Sequence, residues 1–382
     1  MELYLHIPFC KKKCRYCIFA SFPGQSGKME PYVDALIREA NQQKPFFPEK
    51  VETVYLGGGT PSLLPEALLS RLVQGIGEVF SLDDVAEFTA EANPGTVSVS
   101  WVRTAATLGV TRFSFGMQAY SEKDLNTLGR IHGYRDVCEA VSLARDAGAD
   151  VNLDLIFGIP GQTLPDWRQT LEKALELSPD HISAYGLIPE PDTEMDRRLK
   201  SGEWELPDPD VERAMYDLAI RLLAESGLKQ YEISNFAKPG KECRHNIGYW
   251  SQIPYLGLGL AAASMTPPLK ASAGVTYQRL TNPDTFEDYF RLVSGPDSSL
   301  RTVETVSPPE ARFETMMLGL RMAEGIREDR FASLHGISLQ QAYGNKLEQF
   351  VRDGFLLWED GVLRLTRKGM DFQNQVLVDL MP

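Results

Sequence analysis

Cys10-Lys11-Lys12-Lys13-Cys14-Arg15-Tyr16-Cys17 follows directly on the apolar run Leu3-Tyr4-Leu5-His6-Ile7-Pro8-Phe9. Three thiols at i, i+4 and i+7, on a short loop leaving a strand, can aim their sulfurs at one point, as a metal centre requires. Structural zinc sites are usually closed by four ligands, commonly in pairs of Cys or His, and no second group of Cys and His lies nearby in the sequence. On this reading the fourth position is open. An iron-sulfur cluster held by three thiolates leaves one iron free for an outside ligand, which marks a reactive centre rather than a staple. A zinc loop stays as the bland alternative, because one short cysteine motif is only moderately specific.

Downstream of the thiols the chain alternates. Residues 29–43 read as an amphipathic helix, with Tyr32, Leu36, Ile37 and Ala40 near helical spacing. A strand at 51–56 runs into Gly57-Gly58-Gly59-Thr60-Pro61-Ser62 and a helix at 65–80. A glycine loop after a strand can bring backbone amides against a ligand, although many such loops only turn a corner. A strand at 86–91 ends in Glu91-Ala92-Asn93-Pro94-Gly95-Thr96, before a helix at 98–108; the next, at 111–115, ends at Gly116-Met117-Gln118. Helices at 121–128 and 135–147 precede a buried strand at 151–157 that carries Asp154, then a helix at 164–177 and a sixth strand at 181–187. Six strands alternating with helices predict an α/β chain of parallel units with right-handed crossovers. Ligand sites in β/α barrels gather at the C-terminal strand ends, where Cys10, Gly58, Glu91, Gln118 and Asp154 mostly fall. The alternation alone fits a partial barrel or a doubly wound sheet.

The remainder reads as two further segments. Residues 189–210, rich in Pro and charge, read as a loop, followed by a helix at 211–226 and a strand at 230–236. Glu242-Cys243-Arg244-His245-Asn246-Ile247-Gly248-Tyr249-Trp250 is polar and aromatic together. The bland reading is a satisfied loop histidine and a packed tryptophan; yet imidazole can ligate haem iron, and aromatic rings pack well on a porphyrin face. From about residue 300, helices capped by Ser307 and Ser338, a hairpin around Glu359-Asp360-Gly361 and a last helix after Thr366 predict a small winged-helix-like unit. The domains expected are 1–190 as the barrel core, 191–300 as its extension and 301–382 as the C-terminal unit.

Bulk properties narrow the function classes. With 39 basic and 52 acidic side chains in 382 residues, the net charge of −13 disfavours nucleic acid as a partner. The longest apolar run, at residues 255–265, falls far short of the roughly 20 residues that span a bilayer. The first residues lack the basic segment and long apolar core of a signal peptide. Five cysteines, three of them clustered, make no disulfide framework, and free thiolates suit a reducing compartment. Cys138, on a helix, reads as a small core residue. A soluble, cytoplasmic protein is expected.

Seven ordered motifs carry a family resemblance: Tyr4-x-His6-x-Pro8-Phe9-Cys10, Gly57-Gly-Gly-Thr-Pro61, Glu91-Ala-Asn-Pro-Gly95, Gly116-x-Gln118, Leu128-Gly-Arg130-x-His132, Asp154-Leu155 and His245-Asn246-x-x-Tyr249-Trp250. Together with C-x3-C-x2-C they resemble the coproporphyrinogen III dehydrogenase-like branch of radical S-adenosylmethionine (SAM) proteins, over essentially the whole chain. The resemblance implies a partial, TIM-like (β/α)6 barrel with a smaller winged-helix-like α+β domain. It also implies a [4Fe-4S] cluster on Cys10, Cys14 and Cys17, whose open iron binds SAM and cleaves it reductively to a 5'-deoxyadenosyl radical, with an electron donor as partner. The SAM pocket would correspond to Tyr4, Tyr16, Gly58, Gly59, Thr60, Glu91, Gln118, Arg130 and Asp154. The chemistry is sensible, since a carboxylate such as Asp154 can accept from ribose hydroxyls and the Arg130 fork can hold a carboxylate.

Two functions compete within that branch. One is an enzyme that oxidatively decarboxylates two propionates of coproporphyrinogen III to vinyls; the other is a haem chaperone that passes haem to recipient haem proteins. The enzyme's pattern adds a fourth cysteine where this chain has Phe19, and a long N-terminal extension, whereas Cys10 comes here almost at once. The H-N-x-x-Y-W motif is associated with haem binding in the chaperones, which makes His245 the candidate iron ligand and Cys243 a lesser one. These features favour the chaperone and keep the dehydrogenase as the alternative. Two positions depart from the pattern: Ile18 stands where an acidic residue is usual, and Ala261 replaces a glycine, which restricts a positive φ. The recipient, the productive cleavage of SAM and the oligomeric state stay open.

Overall fold

The computed structural model describes residues 1–268, 274–295 and 298–382. Strands β1 (Glu2–Ile7), β2 (Thr53–Gly58), β3 (Glu87–Ala92), β4 (Arg112–Gln118), β5 (Asp150–Phe157) and β6 (His181–Gly186) lie side by side in chain order, all parallel. The connections carry α1 (Met29–Gln43), α2 (Glu66–Phe80), α3 (Val99–Thr107), α4 (Glu122–Leu128), α5 (Tyr134–Asp146) and α6 (Leu164–Glu176). Several of these helices start on a side-chain cap, with Ser98, Ser121 and Thr163 each accepting from the backbone N–H three residues on.

Strand alternation separates two chemistries. Leu3, Leu5, Ile7, Val54, Leu56, Phe113, Phe115, Val151, Leu153 and Leu155 are fully buried and pack with Tyr32, Leu36, Leu72 and Trp167 of the helices in one large core. The residues between them are polar or aromatic and turn to the inside of the curved sheet. Tyr4 lies in register with Tyr55, Tyr55 with Thr89 and Thr89 with Arg112. One step further along, Glu91 pairs with Ser114 and Ser114 with Asn152.

The sheet continues on both sides of the six strands. Beyond β6, α7 (Glu194–Lys200) and α8 (Pro209–Glu225) lead to two short antiparallel strands, β7 (Lys229–Gln230) and β8 (Asn235–Ala237). On the other side, after α9 (Arg244–Trp250), β9 (Tyr255–Leu258) pairs parallel to β1. Antiparallel β10 (Ala263–Met265), β11 (Tyr277–Thr281) and, after α10 (Phe286–Ser294), β12 (Thr302–Val306) follow. The order is β12-β11-β10-β9-β1-β2-β3-β4-β5-β6-β8-β7, an open, curved sheet of twelve strands rather than a closed barrel. The parallel set therefore has a seventh member beyond the expected six.

Four local expectations need correction. Residues 189–210 are not all loop: α7 starts on Thr193, whose hydroxyl accepts from Asp196 N–H, and is laced by Glu194–Arg198 and Asp196–Lys200 pairs. The strand expected at 230–236 is broken between β7 and β8, where the Glu232 carboxylate accepts from Ser234 N–H (2.8 Å) and Asn235 Nδ2 (2.6 Å) and folds the chain into a turn. The loop expected at 244–250 is helical. In the C-terminal unit, α11 (Pro308–Gly319), α12 (Glu328–His335) and α13 (Leu339–Arg352) precede the hairpin, and α12 has no counterpart in the sequence reading. It spans only eight residues and ends at Gly336, φ 69°.

Strand β13 (Ile326–Arg327) joins the hairpin β14 (Leu356–Glu359) and β15 (Val362–Leu365), and α14 (Arg367–Asp371) and α15 (Gln373–Leu380) end the chain. This unit has its own core of Met316, Leu320, Phe331, Leu347 and Leu363. Arg330 donates to the Ser251 carbonyl (2.6 Å) and Arg213 pairs with Asp371 (2.5 Å), which tie it to the barrel side. Among the described residues no helix is long and apolar enough to cross a membrane.

Candidate functional site

The loop that carries the thiols is held from two sides at Arg15. Arg15 N–H donates to the Leu128 carbonyl (3.0 Å), and Met195 N–H donates to the Arg15 carbonyl (3.0 Å). Arg15 Nε pairs with Glu194 (3.0 Å). The helix that the sequence reading took for loop thus positions the chain between the second and third cysteines. Cys10, Cys14 and Cys17 are all free and half-buried, and all line one cavity of about 400 Å3 at the C-terminal end of the parallel strands.

The cavity gathers most of the expected set: Tyr16, Gly58, Gly59, Thr60, Glu91, Gln118, Arg130 and Asp154 line it with the three thiols. Thr60 Oγ1 stands 3.5 Å from Cys10 Sγ, and Arg130 Nη1 donates to Cys14 Sγ (3.4 Å) while its Nη2 donates to the Gly116 carbonyl (2.9 Å). Burial pushes the Cys17 thiol and the Tyr16 phenol above their ordinary pKa values. Gly58 has φ 105°, and a Cβ there would meet the His6 ring at 2.5 Å, so the position needs glycine on both counts. Gln118 reaches the cavity because β4 bulges between Phe115 and Gln118, leaving Gln118 at φ 64°.

Two carboxyls form the floor. Glu91 accepts from Tyr55 OH (2.9 Å) and Gly58 N–H (3.1 Å). Burial, with the neighbouring Asp154 charge, pushes its pKa up to about 7. Asp154, in the middle of β5 rather than at its end, accepts from Ser114 Oγ (2.8 Å) and Asn152 Nδ2 (2.9 Å), and burial raises it as well. Among the described residues no three Cys, His, Asp or Glu side chains stand close enough to share a single ion. A cluster spreads its ligand sulfurs more widely than one ion does. Three thiols facing one cavity, with a guanidinium against one of them, fit that group.

Tyr4 and His245 are not in this cavity. They line a second one, of about 520 Å3, between the inner face of the sheet, α9 and α11, together with Tyr249, Trp250, Tyr255, Met265 and Met317. Tyr4 is held by His6, whose Nε2–H donates to the Ala20 carbonyl (2.8 Å), leaving Nδ1 to accept from Tyr4 OH (2.9 Å). His245 is 1% exposed. Its Nδ1 lies 2.8 Å from Thr53 Oγ1 and its Nε2 2.9 Å from Tyr249 OH, and burial lowers its pKa to about 3. Cys243 is buried outside both cavities, its thiol donating to Glu87 (3.3 Å). Tyr55 and Glu91 line both cavities, so the two share a wall.

The sequence reading missed Tyr55, Ser114, Asn152 and the two methionines. Tyr55 had a signal: it stands two residues before the glycine loop, on the same face of its strand as Gly57. Met265 and Met317 had none, since one lies on a strand of three residues and the other on a helix whose apolar residues are not gathered on one face.

Known proteins were compared with this chain. The family model described as the Radical SAM superfamily matches residues 4–174, and the one described as the HemN C-terminal domain matches residues 306–372. The heme chaperone HemW of Bacillus subtilis (strain 168) is 34% identical over 376 residues, 98% of this chain and 97% of that protein. The heme chaperone HemW of Escherichia coli (strain K12) is 34% identical over 382 residues, 99% of this chain and 97% of that protein. The mitochondrial radical S-adenosyl methionine domain-containing protein 1 of Danio rerio is 31% identical over 385 residues, 100% of this chain and 86% of that protein. Among solved structures, coproporphyrinogen III oxidase (HemN) from Escherichia coli, a radical SAM enzyme, matches with a TM-score of 0.85 at 22% identity, over 99% of this chain and 89% of that one. At that identity the likeness speaks to the fold.

Proposed function

The chain belongs to the radical SAM family, in the branch of the haem chaperones HemW, and on that premise we propose that it binds haem and hands it to haem proteins. Cys10, Cys14 and Cys17 hold a [4Fe-4S] cluster in the first cavity. Beside it Tyr16, Gly58, Gly59, Thr60, Glu91, Gln118, Arg130 and Asp154 bind SAM. When bound, the cluster supplies one-electron chemistry to SAM at its open iron. The residues around it bind and orient: the Arg130 fork suits a carboxylate, the glycines admit the ligand close to backbone, and the two carboxyls suit ammonium and hydroxyl groups.

Haem occupies the second cavity. The observation that carries this reading is that the His245-to-Trp250 helix walls a cavity separate from the thiols, lined by four tyrosines and a tryptophan, surfaces that pack on a flat macrocycle. Phe19, where the dehydrogenase pattern has a cysteine, is 60% exposed at the rim of the first cavity. Tyr4, with His245, belongs to the haem side in this assignment.

The test uses anaerobically reconstituted protein. Stoichiometric haem uptake, delivery to an apo-haem protein, and no vinyl product from coproporphyrinogen III with SAM and reductant are expected. Protein that retains its cluster but takes up no haem would overturn the carrier. Multiple turnovers of porphyrinogen would make it the dehydrogenase.

A further inference from the structure

Resting on the haem reading, we infer that the cargo iron in the second cavity is held by a thioether, from Met265 or Met317, and that His245 is a positioning residue rather than the iron ligand.

The case begins with what His245 already does. Both ring nitrogens are engaged, by Thr53 Oγ1 at 2.8 Å and Tyr249 OH at 2.9 Å. The ring is also enclosed by aromatics, with the Tyr249 centroid at 4.7 Å edge-on and the Tyr55 centroid at 5.1 Å. An iron bond at either nitrogen would break a buried hydrogen bond, leave a hydroxyl unsatisfied and open packing that leaves the residue 1% exposed. Glu91 accepts from Tyr55 OH and Gly58 N–H, and two further hard donors of this cavity are similarly occupied. Tyr4 OH is on His6, and Glu314 is on Arg279 and Tyr277. Burial raises the Tyr255 phenol above its ordinary pKa, away from the anionic form that iron takes.

Two groups in the wall hold no hydrogen bond among the described residues, although Met265, 6% exposed, also packs with Tyr277, Val306 and Ala311. Met265 on β10 and Met317 on α11 both line the cavity. A thioether has no hydrogen bond to surrender and three rotatable bonds with which to reach a metal, and Met is an established haem ligand. The indole N–H of Trp250, also in the wall, is buried without an acceptor among the described residues. A buried donor of that kind is a position for a ligand oxygen or π face. Thioether ligation also suits a carrier, because it favours ferrous over ferric haem and leaves iron open to displacement by a recipient's imidazole.

The full-length protein is loaded anaerobically with haem, oxidised, and measured by near-infrared magnetic circular dichroism, alongside H245Q, which can keep hydrogen bonds to Thr53 and Tyr249, and M265A/M317A. A thioether-to-iron charge-transfer band is expected in the wild-type protein and in H245Q, and not in M265A/M317A. The double variant should bind haem about tenfold more weakly. Metal-free protoporphyrin should bind the wild-type protein and the double variant alike, since only iron needs the sulfur. A band absent from the wild-type protein, or a double variant with an unchanged haem spectrum, overturns thioether ligation while haem carriage stands. Uptake of neither porphyrin would remove the haem reading and this inference with it.

Discussion

The two cavities differ in how far apart in the chain their walls come from, and that difference decides how much of each can be read from the sequence. The first is built mostly at strand ends and on the loops that leave them, so most of its polar groups sit beside a local signal, a cysteine triplet, a glycine run or a strand ending in Glu-Ala-Asn-Pro, while Ser114 and Asp154 lie inside their strands. The second takes residues from 4 to 318, on strands β1, β2, β3, β9, β10 and β11 and helices α9 and α11. Its contents exist only once the far edge of the sheet and the C-terminal unit have come together. The partition between them is Tyr55 and Glu91. Both residues face both cavities, and one hydrogen bond of 2.9 Å joins them.

The largest effect should separate the cavities completely. Replacing Cys10, Cys14 and Cys17 together by alanine should abolish cluster retention, read by iron and acid-labile sulfide, while metal-free protoporphyrin still binds. If porphyrin uptake collapses with the cluster in a protein that remains folded by circular dichroism, the cavities are not independent sites.

A smaller effect should show that the wall is shared. Tyr55→Phe removes the donor to Glu91 Oε1 and leaves a buried carboxyl oxygen without its partner, at a cost of about 1–3 kcal/mol. Affinities for both SAM and protoporphyrin should shift, by titration. Thr60→Ala, which alters only the first cavity, should move SAM alone. A Tyr55→Phe protein in which one ligand shifts and the other does not would break the partition argument.

Legibility in the sequence follows the same divide. The six parallel strands and their helices were readable because alternation and helical spacing are local and the outward face is uniformly apolar, from Leu3 and Leu5 to Leu153 and Leu155. Eight of the nine SAM positions and all three cluster positions implied by the resemblance meet in one cavity. Tyr4 does not, because strand parity alone does not say which of two cavities on the inner face a side chain enters. The seventh parallel strand was invisible, since β9 joins β1 across some 250 residues of chain. Helix α7 was hidden by the flanking prolines, Pro189 and Pro191, and by its own charges, although Thr193 with Asp196 is a readable start signal.

The pH dependence of the first cavity should be subtler still. Glu91 titrates at about 7 in the folded protein, above the ordinary 4.5. It is charged above that pH and neutral below it. SAM brings a sulfonium and an ammonium cation, so its affinity should be highest above about pH 7 and fall several-fold as the pH drops through that value. Folding stability responds to this group in the opposite sense. A raised acid binds its proton more tightly folded than unfolded, so its contribution improves as pH falls from about 7 towards 4.5. Titration at several pH values should give that slope, and Glu91→Gln should flatten it; a flat profile in the wild-type protein would mean that Glu91 does not face the cation.

The smallest effect concerns the turn that joins β9 and β10, two of the strands that wall the second cavity. Ala261, in the turn between β9 and β10, adopts φ 57°, the left-handed region that its family's glycine would occupy freely. Its N–H donates to the Pro283 carbonyl (2.8 Å), which fixes the turn in that conformation. A side chain held there costs about 1–2 kcal/mol, and glycine would return about 0.5–1 kcal/mol of that through the greater freedom of its unfolded chain. Ala261→Gly should therefore stabilise the protein by at most about 1.5 kcal/mol, a rise of about a degree or two in melting temperature for a chain of this size. The methyl group also packs against the main core, which opposes the gain. A fall in melting temperature would show that this contact outweighs the backbone strain. In that case alanine tightens the β9–β10 turn, and protoporphyrin should bind the glycine variant more weakly while SAM affinity stays unchanged.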